Sequence, residues 1–148
     1  ASIDAGEVTM GEVLTVLPFQ NTLAAFGISG QGIIDALENG VSQVEEVKGR
    51  FPQIAGMMFS WNSTAAPNSG RVEEVMVAEG DGFVPIDPAK TYMVVTNNYV
   101  RNGGDGYKMF VDAANAYDFG PGLETVLADY LAGKGPYEPY VDGRITSK

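Results

Sequence analysis

Tyr99 and Asp105 stand six residues apart in the segment Asn98-Tyr99-Val100-Arg101-Asn102-Gly103-Gly104-Asp105-Gly106-Tyr107, which follows directly on the apolar, β-branched run Tyr92-Met93-Val94-Val95-Thr96. Glycines on both sides of the carboxylate open backbone conformations closed to other residues, so Asp105 can be held rigidly beside a ligand. A phenol face offers stacking and a carboxylate accepts from hydroxyl groups, a pairing suited to a ring-shaped, hydroxylated ligand such as a nucleoside. Asn-Gly-Gly-Asp-Gly is equally the composition of an ordinary turn between strand and helix, so the loop alone leaves both readings open. Arg101, in the same loop, reads as a solvated surface arginine rather than a phosphate ligand.

The rest of the composition narrows the chemistry. The chain has 148 residues, no histidine and no cysteine. Without imidazole or thiolate, neither the common hydrolytic triads nor a transition-metal hydrolase site can be assembled from these residues. No dense Asp-x-Asp-x-Asp loop offers a magnesium or calcium site instead. The formal charge of −10, from 19 acidic against 9 basic residues, repels a phosphate backbone and argues against nucleic acid as a partner. No apolar stretch approaches the length of a membrane span, and no basic-then-apolar signal segment opens the chain. The length suits a single domain, 1–148, with its own core.

The elements that must position the loop read as follows. Thr9 and Glu12 have capping-box spacing, so a short helix starts at Met10 and stops before Pro18, delivering Phe19 on a sharp exit. A strand is expected over 21–28. Ser29 caps a helix running from about Gly30 toward Val44, with Ile33, Ile34, Leu37 and Val41 on one face. Gly49 and Pro52 punctuate a loop over 47–53, where Phe51 reads as packing beneath the backbone. Strands are expected at 57–61, 71–78 and 91–96, with turn-rich connectors at 65–70 and 81–88. A short helix is expected at 108–114, and Leu123, Val126, Leu127, Tyr130 and Leu131 mark the clearest amphipathic helix. A frayed terminal strand closes the chain at 143–148. Strands and helices alternate without regular β-α-β spacing, which favours an α+β fold with antiparallel or mixed sheets.

Four segments, Leu17-Pro18-Phe19-Gln20-Asn21, Gly49-Arg50-Phe51-Pro52-Gln53, the loop from Asn98 to Tyr107, and Gly143-Arg144-Ile145, occur in this order and spacing. Together they make the chain resemble the C-terminal domain of the 5'-nucleotidase family of secreted and periplasmic metallophosphoesterases. That family also includes UDP-sugar hydrolases and 2',3'-cyclic nucleotide phosphodiesterases. The resemblance implies a layered α/β/β/α fold and a division of labour. An N-terminal domain carries two divalent metal ions and performs the hydrolysis, and the C-terminal domain binds the base and ribose and presents the phosphate. On this resemblance the present chain binds no metal and is inactive alone, its partners being a nucleoside or nucleotide substrate and the N-terminal catalytic domain of the same polypeptide. Its location is periplasmic or secreted.

The resemblance also implies roles for five residues. Phe19 and Tyr99 match the two aromatics that sandwich the nucleobase, the second of which is usually phenylalanine in the family. Asp105 matches the acid that accepts from the ribose hydroxyls, Asn21 a position that contacts the base edge, and Gly49 a point where the backbone passes close to the base. The family's Asn-Gly-Gly-Gly-Ile-Arg motif, whose arginine contacts the ligand, is expected immediately before Ala1, and the chain ends are those that trimming by a trypsin-like protease would leave. Two other readings stay in play: a relative acting on thiosulfate-type or other non-nucleotide substrates, and a module for interdomain contact or dimerisation.

Overall fold

A computed structural model of the chain describes residues 2–148. Helix α1 (Met10–Val16) begins on the expected capping box. The Thr9 hydroxyl accepts from the Glu12 N–H at 3.4 Å, and the Glu12 carboxylate accepts from the Thr9 N–H at 2.8 Å. The Thr9 N–H, and then the Thr9 hydroxyl, both donating to the Glu12 carboxylate at 2.8 Å, hold that carboxyl below its usual range. Strand β1 (Leu23–Ser29) runs into helix α2 (Gly30–Gly40), whose cap is the Ser29 hydroxyl, accepting from the Gly32 N–H at 3.2 Å. α2 stops at Gly40, short of Val44. Side chains take its last carbonyls: Ser42 donates to Asn39 O at 2.6 Å, and Arg71 donates to Val41 O at 2.7 Å.

The remaining elements are β2 (Met57–Trp61), β3 (Val72–Glu79), β4 (Gly82–Pro85), β5 (Thr91–Asn97), α3 (Asn98–Arg101), two 3-10 turns (Gly104–Gly106 and Lys108–Phe110), β6 (Ala114–Tyr117), α4 (Leu123–Lys134) and β7 (Ile145–Ser147). They form a three-stranded sheet in the order β5-β1-β6 and a four-stranded sheet in the order β4-β3-β2-β7. All pairings are antiparallel except β2 with β7, so the fold is α+β with one antiparallel and one mixed sheet, as expected.

The structure corrects three sequence expectations here. Residues 82–85, expected as connector, form β4. Glu79 pairs with Gly82 across a two-residue turn whose Gly80 has φ +59°, so a tight hairpin lies inside what reads as generic turn composition. The helix expected over 108–114 is only the turn Lys108–Phe110, after which the chain enters β6 beside β1. α4 exists but is not the most one-sided helix: Leu123, Val126, Leu127 and Leu131 are half-buried, and none of its residues is fully buried. It packs against α1, at the margin of the fold.

α2 is the central helix. Ile33, Leu37 and Val41 pack with Phe59, Trp61 and Val75 of the four-stranded sheet. Ala36, one position along, packs with Phe26, Tyr107 and Phe110, beneath the sheet that carries the glycine loop. Phe26 is fully buried, its ring 4.8 Å from that of Phe110.

Candidate functional site

The register of β1 on β5 brings two of the sequence motifs to one edge. Leu23 lies opposite Asn97, and the ladder continues one step beyond the strands. There the Asn98 N–H donates to Thr22 O at 2.9 Å, and the Thr22 N–H donates to Asn98 Oδ1 at 3.1 Å. The lead-in carrying Phe19 and Asn21 is thereby tied beside the start of α3, which carries Tyr99. On its other side the Asn21 carbonyl accepts from the Leu123 N–H at 2.9 Å. Asn97 caps α3, its side chain accepting from the Val100 N–H at 2.8 Å.

Tyr99 and Asp105 meet directly. The Tyr99 hydroxyl donates to Asp105 Oδ1 at 3.1 Å. The ring lies over Gly104, where an added Cβ would come within 2.5 Å of a ring carbon, so only glycine leaves room for this arrangement. Asp105 itself sits at φ +51°, ψ +26°, in the left-handed region, which aspartate tolerates better than most residues.

Arg50, next to Gly49, is joined to Asp105 through Asn39, a residue that sequence reasoning missed. Asn39 Nδ2 donates to Asp105 O at 3.1 Å, and Asn39 Oδ1 accepts from Arg50 Nη1 at 3.2 Å. The Tyr107 hydroxyl donates to Arg50 O at 2.6 Å, closing the link between the two loops. Burial, and then the nearby Asp105 carboxylate, push that hydroxyl up to about 12, with the Arg50 guanidinium opposing. The signal for Asn39 was its place in α2: it follows buried Ala36 by three residues and precedes buried Gly40, so a polar group is aimed toward the packed side.

Gly49, Arg50, Phe51, Asp105 and Tyr107 line a broad groove of about 1390 Å³ that also runs along β5. Phe19, Asn21 and Tyr99 are not part of its wall. Phe19 is 80% exposed and Tyr99 51% exposed, so both rings present open faces. Phe51 is half-buried, its ring 6.3 Å from Trp61, in the packing role expected of it.

Arg101 overturns its sequence reading. It is 6% exposed rather than solvated, and its guanidinium donates to Phe110 O at 2.6 Å and Val111 O at 3.0 Å. The head group also lies 5.4 Å from the centre of the Phe26 ring, and Nε is 3.5 Å from the Asp118 carboxylate. The one-turn helix α3 aims this side chain inward, where its donors reach the Val111 carbonyl and add a second bond to the Phe110 carbonyl, which also accepts from the Ala113 N–H at 3.2 Å. Arg101 thus braces the loop from behind.

Among the described residues, no three His, Cys, Asp or Glu side chains come together as a metal-binding group. No helix among them is long and apolar enough to cross a membrane. The groups this region exposes are the Phe19 ring on the lead-in to β1 and the Tyr99 ring with the Asp105 carboxylate on the glycine loop.

The model of the family described as 5'-nucleotidase, C-terminal domain, matches residues 1–112. A trifunctional nucleotide phosphoesterase of Bacillus subtilis is 42% identical over 98% of this chain, which spans 10% of that protein. The crystal structure of a 5'-nucleotidase precursor from Thermus thermophilus superposes with a TM-score of 0.95 at 40% identity, covering 99% of this chain and 29% of the other. The NAD nucleotidase of Haemophilus influenzae superposes with a TM-score of 0.83 at 28% identity, covering 95% of this chain and 27% of the other. The chain spans between 10% and 29% of the length of each of these proteins, and it belongs to the family of 5'-nucleotidase C-terminal domains.

Proposed function

We propose that residues 1–148 act as one substrate-recognition domain within a longer nucleotide phosphoester hydrolase. Phe19 and Tyr99 stack on the two faces of a nucleobase, Asp105 accepts from the ribose hydroxyls, Asn21 meets the base edge, and the backbone at Gly49 passes beside the base. The phosphate is thereby presented to two divalent metal ions on an N-terminal catalytic domain, which supply the Lewis acid and the activated water. The residues of this chain bind and orient, and without those ions the chain is inactive. The protein acts outside the cytoplasm, in the periplasm or secreted, a reading supported by the Thermus relative being described as a precursor.

The observation that carries the reading is the Tyr99–Asp105 pair, an exposed ring and a sugar-acceptor carboxylate fixed to each other at 3.1 Å. Stacking on an aromatic is worth roughly 1–3 kcal/mol per base and tolerates every base, since each has a π-face. The exposed ring of Phe19 favours a nucleotide over a substrate with no ring to stack.

Calorimetric titration of the chain with adenosine, AMP and uridine tests the reading. Saturable binding is expected for wild type, with Phe19→Ala and Tyr99→Ala each weakening it at least tenfold. Absence of heat with all three ligands at millimolar concentration, in a folded protein, refutes it.

A further inference from the structure

We propose that the Tyr99 hydroxyl is a positioning group that sets sugar specificity: it couples the stacking face to the ribose acceptor by holding the Asp105 carboxylate at the edge of its own ring. This inference rests on the nucleoside-binding reading above and assigns a role to one atom within it.

The phenol oxygen is what distinguishes tyrosine from the phenylalanine usual at this position, and the structure gives it one partner, Asp105 Oδ1. Tyr99 is about half exposed, so the hydroxyl could be hydrated freely and the bond is not forced by burial. The surroundings nevertheless fix both ends. Asn97 caps the helix that carries Tyr99, Gly104 lets the ring lie flat against the loop, and Asn39 holds the Asp105 backbone from the opposite side. With the Asp105 backbone held, the Tyr99 hydroxyl is the group bonded to its carboxylate.

An ionised carboxylate has about four acceptor positions on its two oxygens. The hydroxyl of Tyr99 takes one on Oδ1, and no donor among the described residues is bonded to Oδ2. A sugar whose base is stacked on Tyr99 then meets an acceptor already oriented, without first ordering a rotating carboxylate. Such preorganisation favours a ligand that can donate to it and gives nothing to one that lacks the hydroxyl. A phenylalanine at this position would stack equally well and leave the carboxylate loose.

The test is a double-mutant cycle on the 148-residue chain, reading the affinity ratio of adenosine to 3'-deoxyadenosine and of adenosine to 2'-deoxyadenosine by calorimetry. Tyr99→Phe is expected to keep adenosine binding within about tenfold and to reduce the larger ribose/deoxyribose ratio about fivefold, the worth of one ordinary hydrogen bond. Asp105→Ala is expected to reduce the same ratio, and adding Tyr99→Phe to it should reduce the ratio no further, because the hydroxyl acts through the carboxylate. A merely structural role would move melting temperature and overall affinity but leave the ratio alone. An unchanged ratio in Tyr99→Phe, or additive effects in the double variant, overturns the inference while leaving the nucleoside reading intact. Failure of wild type to bind adenosine at all overturns both.

Discussion

Asn39 is the strongest test of how the two loops are held together. Its amide makes two hydrogen bonds between elements distant in sequence, one to the Asp105 carbonyl and one from the Arg50 guanidinium. Asn39→Ala removes both. Arg50 is poorly placed to absorb the loss: its Nε is already buried without a partner, and its Nη1 keeps only Ser42 Oγ at 3.3 Å. Two part-buried bonds at about 1 kcal/mol each, plus the cost of stranding donor and acceptor, give a destabilisation of about 2–3 kcal/mol. For a chain of this size that corresponds to a melting temperature lower by roughly 5–10 °C. Urea denaturation followed by circular dichroism measures it, and amide hydrogen exchange at Asp105, Gly106 and Tyr107 should quicken in parallel. Gln31→Ala is the control on the same helix. It breaks an exposed bond to Asp35 at 2.9 Å and should cost less than about 0.5 kcal/mol. If Asn39→Ala is no more destabilising than Gln31→Ala, the loops are held by other means and the account of the site's stiffness fails.

Other perturbations separate support from recognition. Tyr107 has its folded-state pKa raised from 10.0 to about 12, so the unfolded chain loses the proton first and stability falls as pH rises between those values. About 2–3 kcal/mol is at stake, and wild type minus Tyr107→Phe should show that slope from pH 10 to 12. Arg101→Met keeps the apolar stem but removes two bonds to backbone carbonyls, leaving Val111 O without its donor and Asp118 without its cation, and should lower the unfolding free energy by about 2–4 kcal/mol in urea titrations. Gly49 and Gly104 should diverge. A Cβ at Gly49 meets nothing within 4 Å, so Gly49→Ala leaves stability unchanged or raises it by up to about 1 kcal/mol, and a loss of adenosine affinity in that variant reports contact with ligand. Gly104→Ala drives a methyl into the Tyr99 ring and should weaken adenosine binding with a measurable fall in melting temperature.

What was legible in the sequence follows the range of the forces involved. The starts of α1 and α2 were readable because each is fixed within a few residues, by Thr9 with Glu12 and by Ser29. The end of α2 was not, because Arg71 and Ser42 decide it, the first from 30 residues away. β4 and β6 are four residues each and exist through pairing with β3 and β1, so their own residues carry little sign of them. The reading of α4 failed for a related reason. Apolar spacing measures what a helix can bury, and its position against α1 determines how much it does bury.

The site divides along the same line. Tyr99 and Asp105 were visible because one loop contains both, and glycine marks the backbone freedom their meeting requires. Phe19 and Asn21 entered through resemblance, and the β1–β5 register supplies the physical link by setting Thr22 against Asn98. Asn39, Arg101 and Tyr107 were illegible as site residues because none of them presents chemistry of its own. Each is a polar side chain spent on the backbone of another loop: Asn39 on Asp105, Arg101 on Phe110 and Val111, Tyr107 on Arg50. A recognition loop built from glycine is permissive by composition and becomes a site only when such contacts remove its freedom. Tyr99 and Asp105 are therefore local in sequence, whereas the contacts that hold their loop are distributed over α2, the 49–51 loop and the turn after Phe110.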